Sequence, residues 1–376
     1  MTPPSHPVEN NDLALTVAEI DHSALLQNLD VFRAKGAEVM AVVKADAYGH
    51  GAVLVAETLR DAGIRHFAVA TLPEAIELRK AGITGRILVF AAPLPEHIAA
   101  YTRHDLDLTI SSGAVAERVR EEVSGSRLRV HVKIDTGMGR IGIRPDEAER
   151  IVRDLDRDPN VEIAGIWTHF ASADEPDLDF THQQLERFLA VVDRVGTAAE
   201  SVHAANSPAA LRVPESYAFD RSLIRIGIGL YGYTDLKGLA QEAGLQPVMR
   251  VTSHVTHTKW VEPGTTVSYG RHWHASRRTR IATVGAGYAD GYPRNASDRA
   301  AVNIGGQRHP VIGTVCMDMF MVDVGERTDI AEGDEVILFG PEGPDAFELA
   351  TICETIPYEV LTRVARRVRR VHRYKK

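Results

Sequence analysis

The chain of 376 residues contains only two cysteines, Cys316 and Cys353, and neither belongs to a Cys-x-x-Cys pair. Disulfide-stabilised domains and cysteine-based zinc sites need several cysteines at characteristic spacings. The composition therefore excludes both classes of protein, and we predict that the two cysteines are reduced thiols.

Positive charge and long apolar runs are also scarce. The formal net charge is -8 at pH 7, whereas proteins that bind nucleic acid through their overall field are usually basic. No apolar run approaches the roughly 20 residues needed to span a bilayer. Residues 1–12 are polar and contain three prolines, without the basic and apolar regions of a signal peptide. We expect a disordered leader, a cytoplasmic location, and neither a nucleic-acid partner nor a membrane partner.

The common phosphate-loop and metal motifs are missing as well. The chain has no Gly-x-x-x-x-Gly-Lys-Ser/Thr loop, and no Gly-x-Gly-x-x-Gly follows its first strong apolar run. Four histidines lie close together in the sequence, but they do not fit His-Glu-x-x-His: His254, His257, His272 and His274. We interpret them as polar residues on β strands and predict no metal site.

The first part of the chain alternates short apolar runs with amphipathic segments. Eight runs are rich in apolar and β-branched residues: 39–43, 66–70, 86–90, 106–110, 127–134, 161–167, 201–204 and 222–226. Strands this apolar are typical of a parallel sheet that is buried on both faces. Apolar residues at helical spacing occur between them, in 51–62, 73–81, 145–155 and 181–195. The pattern predicts an N-terminal (β/α)8 barrel over residues 13–244.

The pattern changes near residue 245. Residues 248–261 tend to alternate between apolar and polar, and further β-type runs lie at 280–284, 301–304, 311–315, 319–324 and 335–339. Glycine-rich turns separate these runs, and only residues 347–356 have a helical pattern. We predict a predominantly β domain over residues 245–376. Eight arginines and lysines lie between Arg363 and Lys376, and we expect this basic tail to be solvated and partly frayed.

Functional side chains follow several of the predicted barrel strands. Lys44 comes directly after the apolar run 39–43, which places its ammonium group at the barrel mouth, partly desolvated. Desolvation lowers the pKa of a lysine and makes the amine a nucleophile toward a carbonyl. Barrels often form a phosphate site from the loops after strands seven and eight, where Ser207 and Gly227 lie. A nucleophilic lysine beside a phosphate site is typical of pyridoxal 5'-phosphate enzymes.

Eight short motifs, in this order along the chain, resemble the bacterial alanine racemase family. They are AVVKADAYGHG (41–51), KIDTGMGR (133–140), HAANS (203–207), RIGI (225–228), VSYG (267–270), GYADGY (287–292), VCMD (315–318) and YEV (358–360). One departure is visible at residues 362–366, which read TRVAR where the family pattern leads us to expect SRVPR.

The resemblance implies a homodimeric enzyme that interconverts L- and D-alanine and supplies D-alanine for peptidoglycan. Two bases, Lys44 and Tyr269, would transfer protons on opposite faces of an external aldimine between alanine and pyridoxal phosphate. The active site would be shared between subunits, because Tyr269 would act in the site of the other copy. A serine racemase or a broad-specificity racemase of the same fold is the alternative function. A decarboxylase of the same architecture and a non-enzymatic cofactor carrier are more distant alternatives.

The same resemblance implies roles for further residues. The cofactor would be held by Lys44, Tyr48, Arg140, His169, Asn206, Ser207, Arg225, Gly227, Ile228 and Tyr358. The substrate side would be formed by Arg140, Tyr288 and Met317. Lys133 occupies the position at which the family often carries a carbamylated lysine.

Overall fold

A computed structural model describes residues 14–374 except 124, 126, 197 and 198. The predicted leader, residues 1–12, lies outside the described residues. The chain forms two compact units, one of residues 24–246 and the other of residues 14–23 together with 247–374. It begins with strand β1 (Val17–Asp21) and helix α1 (His22–Arg33). None of the helices in the described part of the chain has the length and hydrophobicity needed to cross a membrane.

The unit of residues 24–246 is built on eight parallel strands. They are β2 (Glu38–Val42), β3 (His66–Val69), β4 (Arg86–Val89), β5 (Asp107–Ile110), β6 (Leu128–Lys133), β7 (Val161–Trp167), β8 (Ser201–His203) and β9 (Leu223–Ile226). The hydrogen-bonded order is β8-β7-β6-β5-β4-β3-β2-β9, and a bridge between Val202 and Ser222 joins the two ends. Each predicted run matches one strand, so the predicted (β/α)8 barrel is confirmed.

Helices connect these strands in sequence. After α1 they are α2 (Lys44–Gly49), α3 (Ala52–Asp61), α4 (Leu72–Lys80), α5 (Ile98–Arg103), α6 (Gly113–Glu122), α7 (Ala148–Asp156), α8 (Asp179–Val195), α9 (Ser207–Arg212) and α10 (Leu239–Glu242). The four predicted helices correspond to α3, α4, α7 and α8. Helices α5 and α9 have only six residues each, too few to show the 3.6-residue period on which a prediction from sequence depends.

The other unit contains a mostly antiparallel sheet of eight strands and a separate sheet of two strands. Its strands after β1 are β10 (Met249–Val261), β11 (Thr266–Val267), β12 (Trp273–His274), β13 (Thr279–Val284), β14 (Ala301–Ile304), β15 (Gln307–Ile312), β16 (Phe320–Gly325), β17 (Glu335–Phe339) and β18 (Arg369–Arg373). Strands β11 and β12 form the separate two-stranded sheet. The long strand β10 pairs with β1, β13 and β17. The predominantly β character predicted for the C-terminal part is therefore confirmed.

Two details of this unit differ from the sequence prediction. One helix was predicted over residues 347–356, but there are two, α11 (Ala346–Ile352) and α12 (Pro357–Thr362). Pro357 cannot continue a preceding helix and instead occupies the first position of the next one. Strand β15 also begins earlier than predicted, because Gly305 and Gly306 adopt positive φ angles of 58° and 78° and form a tight hairpin between β14 and β15.

The larger differences from the sequence prediction lie at the two ends of the described chain. The barrel was predicted to begin at residue 13, but β1 pairs with β10 and with β18 in the β unit. Its alternating burial, with Ala18 and Ile20 buried, is that of a half-exposed strand of such a sheet. The prediction of a frayed basic tail was wrong, because residues 369–373 form β18 and Arg370 donates to the carbonyls of Val364 and Ala365.

Candidate active site

The barrel brings several candidate residues together at the carboxyl ends of its strands. Lys44 follows β2, Lys133 is the last residue of β6, His169 follows β7, and Arg225 lies near the end of β9. The strands of a (β/α)8 barrel are parallel, so residues at their carboxyl ends share one face of the barrel. Residues distant in the sequence therefore share one face of the barrel, and the roles that the sequence assigns to them stay predictions.

Lys44 opens a segment with an unusual backbone. Ala45, Asp46, Ala47 and Tyr48 all have φ angles between 52° and 55° and form a left-handed turn. Each such residue costs about 1–2 kcal/mol relative to a right-handed conformation. Hydrogen bonds offset this strain: the Asp46 carboxylate accepts from the Ala52 amide at 2.8 Å, and the Ala47 carbonyl lies 2.9 Å from His50 Nδ1. The turn fixes the direction in which the chain leaves Lys44.

Glu74, in the first turn of α4, also holds this turn. Its Oε1 accepts from the Ala45 amide at 2.7 Å, and its Oε2 accepts from the amides of Ala70 and Thr71, both at 2.8 Å. One carboxylate thus joins the loop after β2 to the loop after β3. The sequence prediction missed Glu74, although Thr71-Leu72-Pro73-Glu74 is a capping-box pattern that is visible in the sequence.

The two candidate lysines are partly deprived of solvent. Burial, together with the charge of Arg140, lowers the pKa of Lys44, and Glu74 opposes this effect. Lys133 is fully buried, and its Nζ has no hydrogen-bond partner among the described residues. Burial lowers the pKa of Lys133 to about 8, and the charges of Arg225 and Arg140 add to this effect. Both amines are therefore closer to their neutral, nucleophilic form than an exposed lysine is.

Arg225 is a buried cation surrounded by acceptors. Its Nη1 donates to the His203 carbonyl at 2.7 Å and lies 3.2 Å from His203 Nδ1. Its Nη2 donates to the carbonyls of Thr168 at 2.7 Å and Ala204 at 3.0 Å, and lies 3.3 Å from His169 Nδ1. Burial lowers the pKa of Arg225 to about 9. Burial and the charge of Arg225 hold the pKa of His169 well below its usual value, so we take that imidazole as neutral.

Ser207 and Gly227, in the loops after β8 and β9, lie close to Tyr48, which belongs to the turn after β2. The Ser207 hydroxyl oxygen accepts from the amides of Gly227 at 3.0 Å and Gly229 at 3.3 Å. A Cβ atom at position 227 would overlap the Tyr48 hydroxyl, so only glycine allows this approach. Asn206, a predicted cofactor contact, uses its side-chain oxygen to cap α9 by accepting from the Ala209 amide at 3.1 Å.

Arg140 lies in the loop after β6, which Asp135 shapes. The Asp135 carboxylate accepts from the amides of Gly137 at 3.0 Å and Gly139 at 3.1 Å. The Arg140 side chain is exposed, but its charge contributes to the lowered pKa values of Lys44, Lys133 and His169. Arg140 therefore faces the same region as the three other groups.

Three predicted residues of the β unit lie on exposed loops. Tyr269 is 73% exposed, Met317 is 53% exposed and Tyr288 is 43% exposed. The Thr314 hydroxyl donates to the Tyr269 carbonyl at 2.9 Å, and the Tyr288 amide donates to the Cys316 carbonyl at 3.1 Å. These contacts connect the three loops within the unit. Tyr358, on α12, is half-buried.

Fold and site together define a class of protein. A (β/α)8 barrel that gathers a partly desolvated lysine and a buried arginine at the carboxyl ends of its strands is typical of enzymes in which the lysine acts as a nucleophile.

Comparisons with known proteins identify the family. The family model described as the alanine racemase N-terminal domain matches residues 20–235, and the model described as the alanine racemase C-terminal domain matches residues 248–372. The alanine racemase of Chlorobaculum tepidum is 42% identical over 369 residues, which cover 95% of both chains. The chain thus belongs to the alanine racemase family and is a racemase enzyme, as the motifs indicated.

Solved structures of relatives have the same fold. The alanine racemase from D-cycloserine-producing Streptomyces lavendulae is 37% identical, with a TM-score of 0.89 over 96% of this chain and 98% of that chain. The biosynthetic alanine racemase from Pseudomonas aeruginosa is also 37% identical, with a TM-score of 0.89 over 97% of this chain and 100% of that chain. Both units of the fold are therefore characteristic of the family.

Proposed function

We propose that the protein interconverts L- and D-alanine with pyridoxal phosphate as cofactor, and that it supplies D-alanine for peptidoglycan. The observation that carries this proposal is the meeting of Lys44, Arg225 and the Ser207–Gly227 group at one end of a barrel of this family. When bound, pyridoxal phosphate supplies an electron sink that acidifies the Cα proton of an amino acid.

The residues present fit such a cofactor. Lys44 offers an amine with a lowered pKa, as attack on an aldehyde requires. The Ser207 hydroxyl, whose oxygen accepts from the Gly227 amide, has its own hydrogen to donate to a phosphate, and the Tyr48 hydroxyl lies next to Gly227. The resemblance assigns Asn206, Ile228 and Tyr358 to cofactor binding as well, which stays a prediction.

Arg225 has one remaining donor for a ring nitrogen. Its hydrogen bonds among the described residues use Nη1 and Nη2, which leaves Nε. A guanidinium only donates, so a ring nitrogen that meets Arg225 stays unprotonated. With Arg225 in this role, the cofactor would supply a weaker electron sink, and side reactions such as transamination would be disfavoured. Arg140 would bind the cofactor phenolate oxygen and help to place the substrate carboxylate.

Racemisation requires proton transfer on both faces of the substrate. The Lys44 amine would exchange the proton on one face, and the Tyr269 hydroxyl on the other. Tyr269 is exposed in the β unit, which is consistent with a role in the active site of a second copy of the chain. Exposed aromatic and methionine side chains such as Tyr288 and Met317 are also typical of an interaction surface. We therefore propose a homodimer with shared active sites.

Lys133 is proposed to react with carbon dioxide. The reaction needs a neutral amine, and burial lowers the pKa of Lys133 to about 8. Its Nζ has no hydrogen-bond partner among the described residues. The resulting carbamate would be an anion close to Arg140 and Arg225, whose charges now disfavour the ammonium form of Lys133. Carbon NMR after equilibration with labelled bicarbonate would show the carbamate signal, and Lys133→Ala would remove it.

A chiral chromatographic assay tests the proposed function. Purified protein incubated with pyridoxal phosphate and L-alanine should produce D-alanine until the two enantiomers are equal. L-serine should react detectably but far more slowly, and lysine, arginine and glutamate should stay unchanged. The reason is that Tyr358 of one copy, together with Tyr269, Tyr288 and Met317 from the other copy, is predicted to narrow the entrance and the pocket. Fast racemisation of serine or of many amino acids would support the alternative, a serine or broad-specificity racemase. Absence of any racemisation by cofactor-loaded protein would refute the proposal.

The cellular role needs a separate test. Expression in a bacterium that requires added D-alanine should restore growth without it if the protein supplies D-alanine for the cell wall. A Lys44→Ala variant expressed to the same level serves as the control. Activity in the purified protein without rescue of growth would contradict the peptidoglycan role alone.

A further inference from the structure

A chain of hydrogen bonds runs through the interior of the barrel. His131 Nε2 lies 3.1 Å from the Asp107 carboxylate, His131 Nδ1 lies 3.0 Å from His203 Nε2, and His203 Nδ1 lies 3.2 Å from Arg225 Nη1. All four side chains are buried. Asp107 is the first residue of β5, at the amino-terminal end of the barrel, whereas Arg225 lies at the carboxyl end. The chain therefore connects the two ends of the barrel.

The ends of this chain fix the direction of every hydrogen bond in it. A carboxylate only accepts and a guanidinium only donates. Arg225 must therefore donate to His203 Nδ1, His203 Nε2 to His131 Nδ1, and His131 Nε2 to Asp107. Both histidines are then neutral, with the proton on Nε2. A doubly protonated His131 would turn His203 Nδ1 into a donor facing Arg225, which is also a donor.

The backbone is shaped to permit this arrangement. The pairing of β6 with β7 is irregular between Val130 and His131, and such bulges redirect side chains. Across from it, a Cβ atom at Gly165 would overlap His131 Nδ1. Glycine at this position leaves the space in which the His131 ring reaches His203.

Asp107 is an anion despite its burial. Burial alone would raise its pKa, but the hydrogen bond from the neutral His131 and the charges of Arg86 and Arg129 outweigh this effect. The Arg86 Nε donates to one carboxylate oxygen at 3.0 Å and the Arg129 Nε to the other at 2.8 Å. The pKa of Asp107 therefore lies well below its usual value, and the chain ends on a permanent negative charge.

We propose that Asp107 is a remote positioning residue for Arg225, which it orients by fixing the tautomers of His131 and His203. The negative charge at the amino-terminal end of the barrel favours a charged Arg225 and keeps Nη1 engaged. Nε then stays available to donate to the ring nitrogen of the proposed cofactor. The inference rests on the proposed role of Arg225 toward the cofactor, but the tautomers themselves do not depend on that role.

The tautomers can be measured directly. Nitrogen-15 NMR of the histidine rings in the full-length protein as purified distinguishes protonated from unprotonated ring nitrogens. The spectra of His131→Gln and His203→Gln variants provide the assignment. We expect Nε2–H and bare Nδ1 for both histidines near neutral pH. A Nδ1–H tautomer or an imidazolium at either residue would overturn the proposal, whether or not the protein proves to be a racemase.

A pair of matched variants separates positioning from simple stability. Asp107→Asn removes the charge with little change of shape, whereas Arg129→Gln breaks an ion pair of the same carboxylate but leaves the chain to Arg225 intact. Loss of a partner that orients a metal ligand typically lowers activity about 10- to 100-fold, and we take the same range for a partner that orients Arg225. We expect a loss of that size in kcat for Asp107→Asn with little change of KM, and an altered absorption spectrum of the bound cofactor. Arg129→Gln should lower the melting temperature but keep the kcat and spectrum of the original protein.

Gly165→Ala provides an independent variant, because it displaces the His131 ring without removing any charge. It should reproduce the kcat loss and the spectral change of Asp107→Asn, and it decides the question if Asp107→Asn does not fold. Equal kcat and equal spectra in Asp107→Asn, Gly165→Ala and Arg129→Gln would overturn the proposal. If the protein lacks racemase activity altogether, the proposed function fails, and the NMR result still decides whether Asp107 orders the chain.

Discussion

The two units hold their candidate residues in opposite ways. In the barrel unit, burial lowers the pKa values of Lys44, Lys133 and Arg225. Glu74 opposes this effect at Lys44, and backbone carbonyls accept hydrogen bonds from Arg225. In the β unit, Tyr269 and Met317 are largely exposed. A buried charged group needs its partners within its own fold, whereas an exposed aromatic residue can obtain its environment from another surface. The barrel therefore organises charge by itself, whereas the exposed side chains of the β unit are the ones that the proposed homodimer would cover.

Among the changes that test this comparison, replacement of Lys44 should cause the largest loss of activity. Lys44→Ala removes the amine for which the left-handed turn and Glu74 are arranged, so we expect activity to fall by at least about 10³-fold, with loss of both covalent and base catalysis. After borohydride treatment with pyridoxal phosphate, mass spectrometry should find the reduced adduct on Lys44 in the original protein. Lys80→Ala, at the end of α4, serves as a control that keeps the adduct. An adduct on another lysine in Lys44→Ala would show that the assignment is wrong.

Replacement of Tyr269 tests the other side of the comparison. Tyr269→Phe should remove proton transfer on one face only, with a loss of about 10²–10⁴-fold for that face. In deuterated water, exchange of the Cα proton should become strongly unequal between L- and D-alanine. Equal losses from both enantiomers would argue against two separate bases. Full specific activity in a proven monomer would contradict the shared site.

How far the sequence predicts the site depends on how local each feature is. The strands β2 to β9 are buried on both faces, so their nearly continuous apolar runs are visible in the sequence, and the position of Lys44 follows from them. The pairing of β18 with β1 joins residues about 350 positions apart and has no local signal. The same holds for His131 and His203, which meet only because their strands flank β7.

The left-handed turn after Lys44 shows a further limit. Four consecutive non-glycine residues with positive φ angles contradict ordinary backbone preferences, so local propensity predicts a different conformation. The turn exists because Glu74 and Asp46 accept its amides and those of its neighbours. The capping box at Thr71–Glu74 is visible in the sequence. The sequence does not show that the Glu74 carboxylate also accepts from the Ala45 amide.

Replacement of Glu74 should have a smaller effect, which concerns cofactor binding by the barrel unit. A hydrogen bond to a charged group contributes about 1.5–3 kcal/mol, so Glu74→Ala should weaken pyridoxal phosphate binding by roughly tenfold or more. Glu74→Gln keeps an acceptor and should bind better than Glu74→Ala. The negative charge of Glu74 raises the pKa of Lys44. Glu74→Gln removes this charge, so the pKa of Lys44 should be lower in the variant. The pH at which cofactor binding becomes fast should therefore shift downward.

Absorbance titrations with the cofactor across a range of pH measure both effects. Glu77→Gln, an exposed change on the same helix, is the matched control and should behave as the original protein. An unchanged affinity in Glu74→Ala would show that the turn is held without this carboxylate.

In the β unit, shortening of the basic tail provides a test of stability. Deleting residues 371–376 removes the pairs that Val371, His372 and Arg373 form with β1. We expect the free energy of unfolding to fall by about 1–3 kcal/mol, the usual range for loss of packed contacts. A shortened chain that lacks only the last two residues should be as stable as the full chain. Equal stability of both shortened chains would restore the view of a frayed tail.

The smallest effect that we expect is a pH dependence of stability at the contact between α1 and β18. His22 Nε2 lies 2.7 Å from His372 Nδ1, and burial together with the charge of His372 lowers the pKa of His22 to about 4. In the unfolded chain a histidine titrates near pH ~6.5, so between these values the unfolded state binds more protons. This contribution to stability is present above pH ~6.5 and is lost as the pH falls toward ~4. His22→Gln should flatten this part of the curve of unfolding free energy against pH. Other buried histidines, such as His203, act in the same direction, so the variant must be compared with the original protein at each pH by denaturant unfolding. Parallel curves for the two proteins would show that His22 is not the group that titrates.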